Sequence, residues 1–170
     1  MVQTADKRTY KAIISLGTNL GDREKNLKDA KMLISSRVGQ ILLQSSTFNT
    51  VSWGNSDLNH FLNEVIAIEV TATPLAILNS FLAIEKELGR KRNSSDHYEN
   101  RSLDIDLLYY DNLVLQTAEL FIPHPRLHLR NFVLVPLAQI LPNWLHPQLN
   151  KTSKQLLAEC TDANKVELYT

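Results

Sequence analysis

The chain has 170 residues, 44% of them hydrophobic and 21% charged, with 18 basic and 18 acidic side chains that give a formal net charge of zero. That balance suits one globular domain spanning 1–170 with a core of its own, and it excludes a disordered or fibrous chain. It also argues against a general nucleic-acid binder, whose affinity rests on excess positive charge, while the lack of a long apolar run or a charged-then-apolar leader argues against a membrane protein or a secreted one.

Residues 10–16 form a short apolar run ending in Gly17, which predicts a buried strand. Asp22 then offers an N-cap for a helix carrying Leu27, Ala30, Ile34 and Val38 at helical spacing and closed by Gly39. Residues 40–48 read as a second strand, 49–59 as a polar loop and 61–70 as a third, largely apolar strand. Thr73-Pro74 starts a second helix, with a hydroxyl cap followed by proline at the first helical position. Its stripe is Ile77, Phe81, Ile84 and Leu88, widened by Leu78 and Leu82 and stopped by Gly89.

The segment 90–100 is polar and aperiodic, a long loop of the kind that covers sites. After it, Leu103, Ile105, Leu107 and Tyr109 alternate with Asp104, Asp106, Leu108 and Tyr110, the period of a strand that turns at Asp111-Asn112. Pro123-His124-Pro125 breaks the chain, residues 131–140 read as partly helical with Pro136 near the first turn or at a kink, and 152–160 as a short last helix. Strand–helix–strand–strand–helix–strand predicts an α+β fold, the ferredoxin-like βαββαβ pattern: a mostly antiparallel sheet with helices on one face, and the other face left for a site or for the C-terminal additions.

Chemistry concentrates in Arg101-Ser-Leu-Asp104-Ile-Asp106. Side chains two apart on a strand share a face about 6.6 Å apart, so the carboxylates repel unless a cation lies between or above them. Hard divalent ions with a polyphosphate satisfy that arrangement, although a solvated edge strand also tolerates two acids. Arg90, Lys91, Arg92 and Arg101 bracket the loop just ahead of the pair, and residues 120–150 hold Arg126, Arg130 and three histidines with no acid. Guanidinium forks suit phosphate oxygens; a run such as 90–92 also suits a solvated surface. Gly17-Thr-Asn-Leu-Gly21 lacks the Gly-Lys-Ser/Thr of a phosphate loop, and its glycines fit a tight turn. The five histidines show no zinc spacing, and the lone Cys160 sits in a segment suited to packing. Phe61 and Asn63 share a strand face, where an aromatic beside an amide suits a flat heterocycle, or the Phe simply packs in the core; Phe132, two residues after Arg130, is open to the same pair of readings.

Taken together, Leu16-Gly-Thr-Asn-Leu-Gly21, Phe61-Leu-Asn63, Ile84-Glu85 with Gly89-Arg90, Arg101-x-x-Asp104-x-Asp106, and Pro123-His124 with Arg130-x-Phe132 resemble the 6-hydroxymethyl-7,8-dihydropterin pyrophosphokinase family over about residues 9–160. The resemblance implies transfer of pyrophosphate from ATP to the pterin hydroxymethyl group in folate biosynthesis, releasing AMP; the charge balance and the lack of a leader or long apolar run set the expectation of a cytoplasmic monomer without nucleic-acid or membrane partners. It implies that Asp104 and Asp106 ligate two Mg²⁺ ions, that Asn63 bonds the pterin edge, and that Phe61 and Phe132 sandwich the ring near Thr50. Arg90, Arg92 and Arg101 match phosphate-contacting or loop-closing arginines; His124 and Arg130, with Glu85 ahead of the loop, match the nucleotide side. Tyr98 stands where the family carries a loop tryptophan and could lie across the pterin, Glu99-Asn100 replace a Gly and a small residue or Pro, and Val51-Ser52 stand where many relatives have proline. Without the resemblance, a strand-borne pair of acids would equally suit a metal-dependent phosphodiesterase or another nucleotidyl-transfer enzyme, and the fold a small-molecule sensor. Asn63 with two flanking phenylalanines favours a heterocyclic substrate over simple hydrolysis, and intact Asp104, Asp106 and Arg101 disfavour a sensor.

Overall fold

The computed structural model describes residues 8–51, 59–90 and 100–170. Its main sheet contains β1 (Tyr10–Thr18), β2 (Gln40–Gln44), β3 (Phe48–Thr50), β4 (Phe61–Val70), β5 (Asp104–Tyr110) and β8 (Val166–Leu168). The order is β5-β1-β4-β3-β8, with β2 also on β4, and every pairing is antiparallel. With α1 (Arg23–Arg37) and α2 (Pro74–Glu87) as the crossovers, this is the ferredoxin-like α+β arrangement that the element order predicts.

The local signals act as expected. Asp22 accepts a hydrogen bond from the Lys25 amide at 3.0 Å and Thr73 from the Ala76 amide at 3.4 Å, so each new helix has a satisfied first turn. Leu27, Ala30 and Ile34 of α1 and Ile77, Phe81 and Ile84 of α2 pack on Ile14, Leu16, Ile66, Ile105 and Leu107. The opposite face is part-covered by α3 (Asn131–Ile140) and α4 (Ser153–Glu159), whose Val133, Leu134, Leu137 and Leu156 meet Ile13, Val65, Ala67 and Tyr109. β1 is therefore buried on both faces, which is why its sequence is a continuous apolar run. The rest of the second face holds the cleft described below.

Four expectations need correction. The strand expected over 40–48 divides into β2 and β3, because Ser45 and Ser46 leave the ladder. The Ser45 hydroxyl accepts from the Val65 amide at 3.0 Å, and the Ser46 amide donates to Gln139 of α3 at 2.8 Å. Asn49 and Thr50, placed in a loop from sequence, belong to β3. In β5 the alternation breaks, since Ile13 pairs with Tyr109 while Ile14 pairs with Leu107. Leu108 is the extra residue of a bulge, so Tyr109 joins Leu108 on the α3 face and Tyr110 turns to the α1–α2 face. Pro136, finally, is the sixth residue of α3, past its first turn and buried. Its ring lacks the N–H that would otherwise bond the Phe132 carbonyl, and burial against the sheet face sustains the helix regardless. Not expected were the small hairpin of β6 (Leu115–Gln116) and β7 (Phe121–Ile122), the 3-10 turn Leu127–Leu129 and the strand β8.

Candidate active site

The site grows from one rung of the sheet. Gly17 of β1 pairs with Asn63 of β4 on one side and with Asp104 of β5 on the other. The next rung on the same face pairs Ser15 with Asp106. An amide, a bare backbone and a carboxylate thus stand in line, and the two acids project together as the alternation predicts.

On the β3–β4 side the cleft is lined by Thr50, Phe61 and Asn63, and Phe132 at the start of α3 reaches the same space. Asn63 is buried and its Nδ2 donates to the Thr50 hydroxyl at 2.7 Å, which fixes the amide's orientation and leaves its remaining donor and acceptor capacity for the cleft. A Cβ on Gly17 would stand 3.0 Å from Asn63 Oδ1 and 3.7 Å from the Phe61 ring. Gly17 therefore lies within the strand and makes room for those side chains, whereas the tight-turn role fits Gly21, whose φ is 71°.

On the β5 side Asp104 is gripped by two arginines. Arg90 Nη1 donates to its Oδ1 at 2.5 Å, and Arg101 Nη1 to its Oδ2 at 2.6 Å. Arg90 also meets Glu85 Oε1 at 2.5 Å, and that same oxygen accepts from the Ile105 amide at 2.8 Å. Glu85 is buried on α2, so it joins helix, strand and guanidinium at a single point. Asp106 has a longer contact, 4.0 Å from its Oδ2 to Arg130 Nη1, and the Arg130 guanidinium lies 5.5 Å from the Phe132 ring centre. Burial, with the Asp104 charge adding to it, pushes the Asp106 carboxyl up to about 7.

His124 lies in the field of the same groups. Burial, then Arg130 and Arg126, push it down to about 4, so its ring is neutral at physiological pH. Its Nδ1 accepts from the Arg126 amide at 3.2 Å, which assigns the proton to Nε2 and makes that atom a donor. Arg92 and Tyr98 lie outside the described residues.

Asn19 was not singled out from sequence. It is buried, with its Oδ1 accepting from the Arg101 amide at 2.6 Å and its Nδ2 donating to the Asn59 carbonyl at 3.1 Å and to Asn100 Oδ1 at 2.7 Å. One amide ties β1 to the residues flanking 52–58 and 91–99, and Asn100, a departure from the family pattern, is one of its partners. A polar residue in a turn carries no periodic signal, so only its place inside the Gly17–Gly21 motif pointed this way.

Among the described residues, no group of three or more His, Cys, Asp or Glu side chains is gathered to hold a metal unaided. Two neighbouring carboxylates, one with its pKa raised, fit a hard cation that completes its shell with phosphate oxygens and water, the usual habit of Mg²⁺. No helix among the described residues is long and apolar enough to cross a membrane.

This is an α+β domain of ferredoxin-like topology with an acidic–arginine centre beside an aromatic, amide-lined slot. The family model described as 7,8-dihydro-6-hydroxymethylpterin-pyrophosphokinase (HPPK) matches residues 13–142. The chain is 41% identical over 137 residues to the 2-amino-4-hydroxy-6-hydroxymethyldihydropteridine pyrophosphokinase of Porphyromonas gingivalis, covering 79% of this chain and 92% of that one. With the Synechocystis enzyme of the same name it shares 34% identity over 158 residues, 91% of this chain and 80% of the relative. The chain belongs to the 7,8-dihydro-6-hydroxymethylpterin-pyrophosphokinase family. The fold matches that of Plasmodium falciparum HPPK-DHPS crystallised with pteroate, with a TM-score of 0.72 at 17% identity over 92% of this chain; the chain spans 43% of that longer protein.

Proposed function

We propose that the cleft across the Asn63–Gly17–Asp104 rung is where this transferase moves pyrophosphate from ATP to 6-hydroxymethyl-7,8-dihydropterin in folate biosynthesis. The rung carries the conclusion, because it sets a slot for a flat heterocycle directly beside paired carboxylates and arginines suited to a triphosphate. Phe61 and Phe132 flank the ring, and Asn63, oriented by Thr50, bonds its edge. The hydroxymethyl group releases its proton to solvent as its oxygen forms a bond to the β-phosphorus, the bridge between the α- and β-phosphates breaks, and AMP leaves with the bridging oxygen.

Asp104 and Asp106 would hold two Mg²⁺ ions, which supply charge neutralisation at the triphosphate and lower the pKa of the attacking hydroxyl. Arg90 and Arg101, pre-positioned on Asp104, turn their remaining donors to phosphate oxygens, and Arg130 does so from the start of α3. His124 offers an uncharged Nε2 donor on the nucleotide side. Glu85 keeps Arg90 in place on the nucleotide side, and by sequence Arg92 and Tyr98 join from the loop. Residues 1–170 form one domain, a reading supported by β8 joining the same sheet as β1, and it works as a monomer in the cytoplasm.

Incubating the protein with Mg²⁺, ATP and the reduced hydroxymethylpterin should yield AMP and the pterin diphosphate in equal amounts by chromatography. ADP in place of AMP would mean ordinary phosphoryl transfer and overturn the assignment. Gly17→Ala should raise the pterin Kd about tenfold, because the new methyl pushes the Asn63 amide by a few tenths of an ångström, with ATP affinity within about twofold by calorimetry.

A further inference from the structure

The segment 161–169 lies beyond the residues matched by the family model, yet it bonds Asn131, next to Phe132, and pairs with the strand that carries Thr50. α3 has no acid in its first turn, and the side chain of its own N-cap residue, Arg130, makes no capping bond. A remote acid supplies the acceptor instead. Asp162 Oδ2 accepts from the Asn131 amide at 2.9 Å, its Oδ1 accepts from the Asn164 amide at 3.0 Å, and its carbonyl accepts from Asn131 Nδ2. Asn131 lies between Arg130 and Phe132, both of which line the cleft.

Four residues further on, β8 pairs with β3, Val166 opposite Thr50 and Leu168 opposite Phe48. Thr50 is the residue that orients Asn63. The Tyr169 amide donates to the Thr47 carbonyl at 2.9 Å and its hydroxyl to Glu24 Oε1 at 2.7 Å, which fastens the strap at its far end. A three-residue edge strand gains little from its own ladder, so its placement depends on such end contacts.

We propose that 161–169 is a strap that sets the width of the heterocycle slot, with Asp162 as a positioning residue acting through the first turn of α3 on Phe132 and β8 acting through β3 on Thr50. The strap touches no substrate. This rests on the pterin slot proposed above, with Asn63 and Phe132 as its walls. Its effect should fall more on the pterin than on ATP: Arg130 at the head of α3 shares the strap's reach, but Asp104, Arg90 and Arg101 are held through bonds to one another and to Glu85.

The test is steady-state kinetics and calorimetry on the full chain bearing Asp162→Ala, Asp162→Asn or Glu167→Pro, with thermal melts alongside. Asp162→Ala should raise the pterin KM and Kd about tenfold with the ATP KM within about threefold, the loss of one capping acceptor being of that order. Asp162→Asn, which keeps an acceptor oxygen for the Asn131 amide and gives up the one that the Asn164 amide uses, should recover most of that loss, to within about threefold of the parent. Glu167→Pro, which removes a strand donor at the other end, should give the same pterin-selective loss and serves alone if the alanine variant does not fold. Unchanged pterin affinity, equal losses for both substrates, or no rescue by asparagine would overturn the strap. If the unsubstituted protein turns over and binds pterin while the variants match it, only the strap is wrong; if the unsubstituted protein binds no pterin, the slot assignment fails first.

Discussion

Asp106→Asn should eliminate turnover, by at least about 10³-fold, and at the same time raise the melting temperature of the ligand-free protein. Asparagine has nearly the same shape but carries no charge. In the ligand-free protein the carboxylate is burdened by burial and by Asp104, and Arg130 stands 4.0 Å away. Its pKa of about 7 exceeds the ordinary value of 3.8, so the folded chain holds this proton more tightly than the unfolded one. For an acid displaced in that direction, stability is gained as pH falls through 7 toward 4 and lost as pH rises through 7.

The substitution mimics the protonated state at every pH, so the melting-temperature difference between variant and parent should be positive at pH 8 and vanish near pH 4. With the side chain about a third exposed, solvent screening reduces the gain to about 1 kcal/mol, or about 3 °C for a chain of this length. Calorimetric scans at pH 4, 6 and 8 measure it. A variant no more stable than the parent at pH 8 would mean that the ligand-free protein holds the Asp106 carboxylate without strain, and one that is less stable would place Asp106 in a structural role. Adding Mg²⁺ and a nucleotide should stabilise the parent far more than the variant, since binding to the native state adds directly to its stability.

The second large effect belongs to Asn63. In Asn63→Ala the Thr50 hydroxyl and the polar edge of the bound pterin both lose a partner at a buried position. An unpaired buried polar group costs about 1–3 kcal/mol, and the upper part of that range applies to a group facing the ligand edge, so the pterin Kd should rise about 30- to 100-fold. ATP affinity should stay within about twofold, because Asp104 and its arginines are anchored from another strand and helix. Thr50→Val should show a smaller loss in the same direction, about fivefold to tenfold, since the amide stays but loses the contact that orients it. Calorimetry with each ligand separately reads both numbers. Equal weakening of ATP and pterin would remove Asn63 from the slot.

Local chemistry made much of the fold legible. Residues 61–70 emerge as the strand read from their pattern, and Thr73-Pro74 and Asp22 set helix starts through hydrogen bonds that depend on only three or four neighbours. What escaped depends on distant partners. The bulge at Leu108 exists because of how β5 meets β1, so no pattern within β5 announces it. β8 has three residues, too few to display a period, and its pairing with β3 joins positions more than a hundred residues apart. The site residues were named from motifs scattered between 50 and 132, and their meeting follows from the register that sets Gly17 between Asn63 and Asp104. Gly17 itself read as a turn glycine because a glycine chosen for space and one chosen for its dihedral angles look alike in sequence.

That register works as a ruler. Residues facing each other across antiparallel strands have Cα atoms about 4.5–5.5 Å apart, so two such steps separate positions 63 and 104 by about 10 Å, a gauge set by backbone hydrogen bonds alone. Substitutions that leave both ladders intact should leave the separation of acceptor and donor sites unchanged. Homologues that keep the two ladders should share one alignment of reactants.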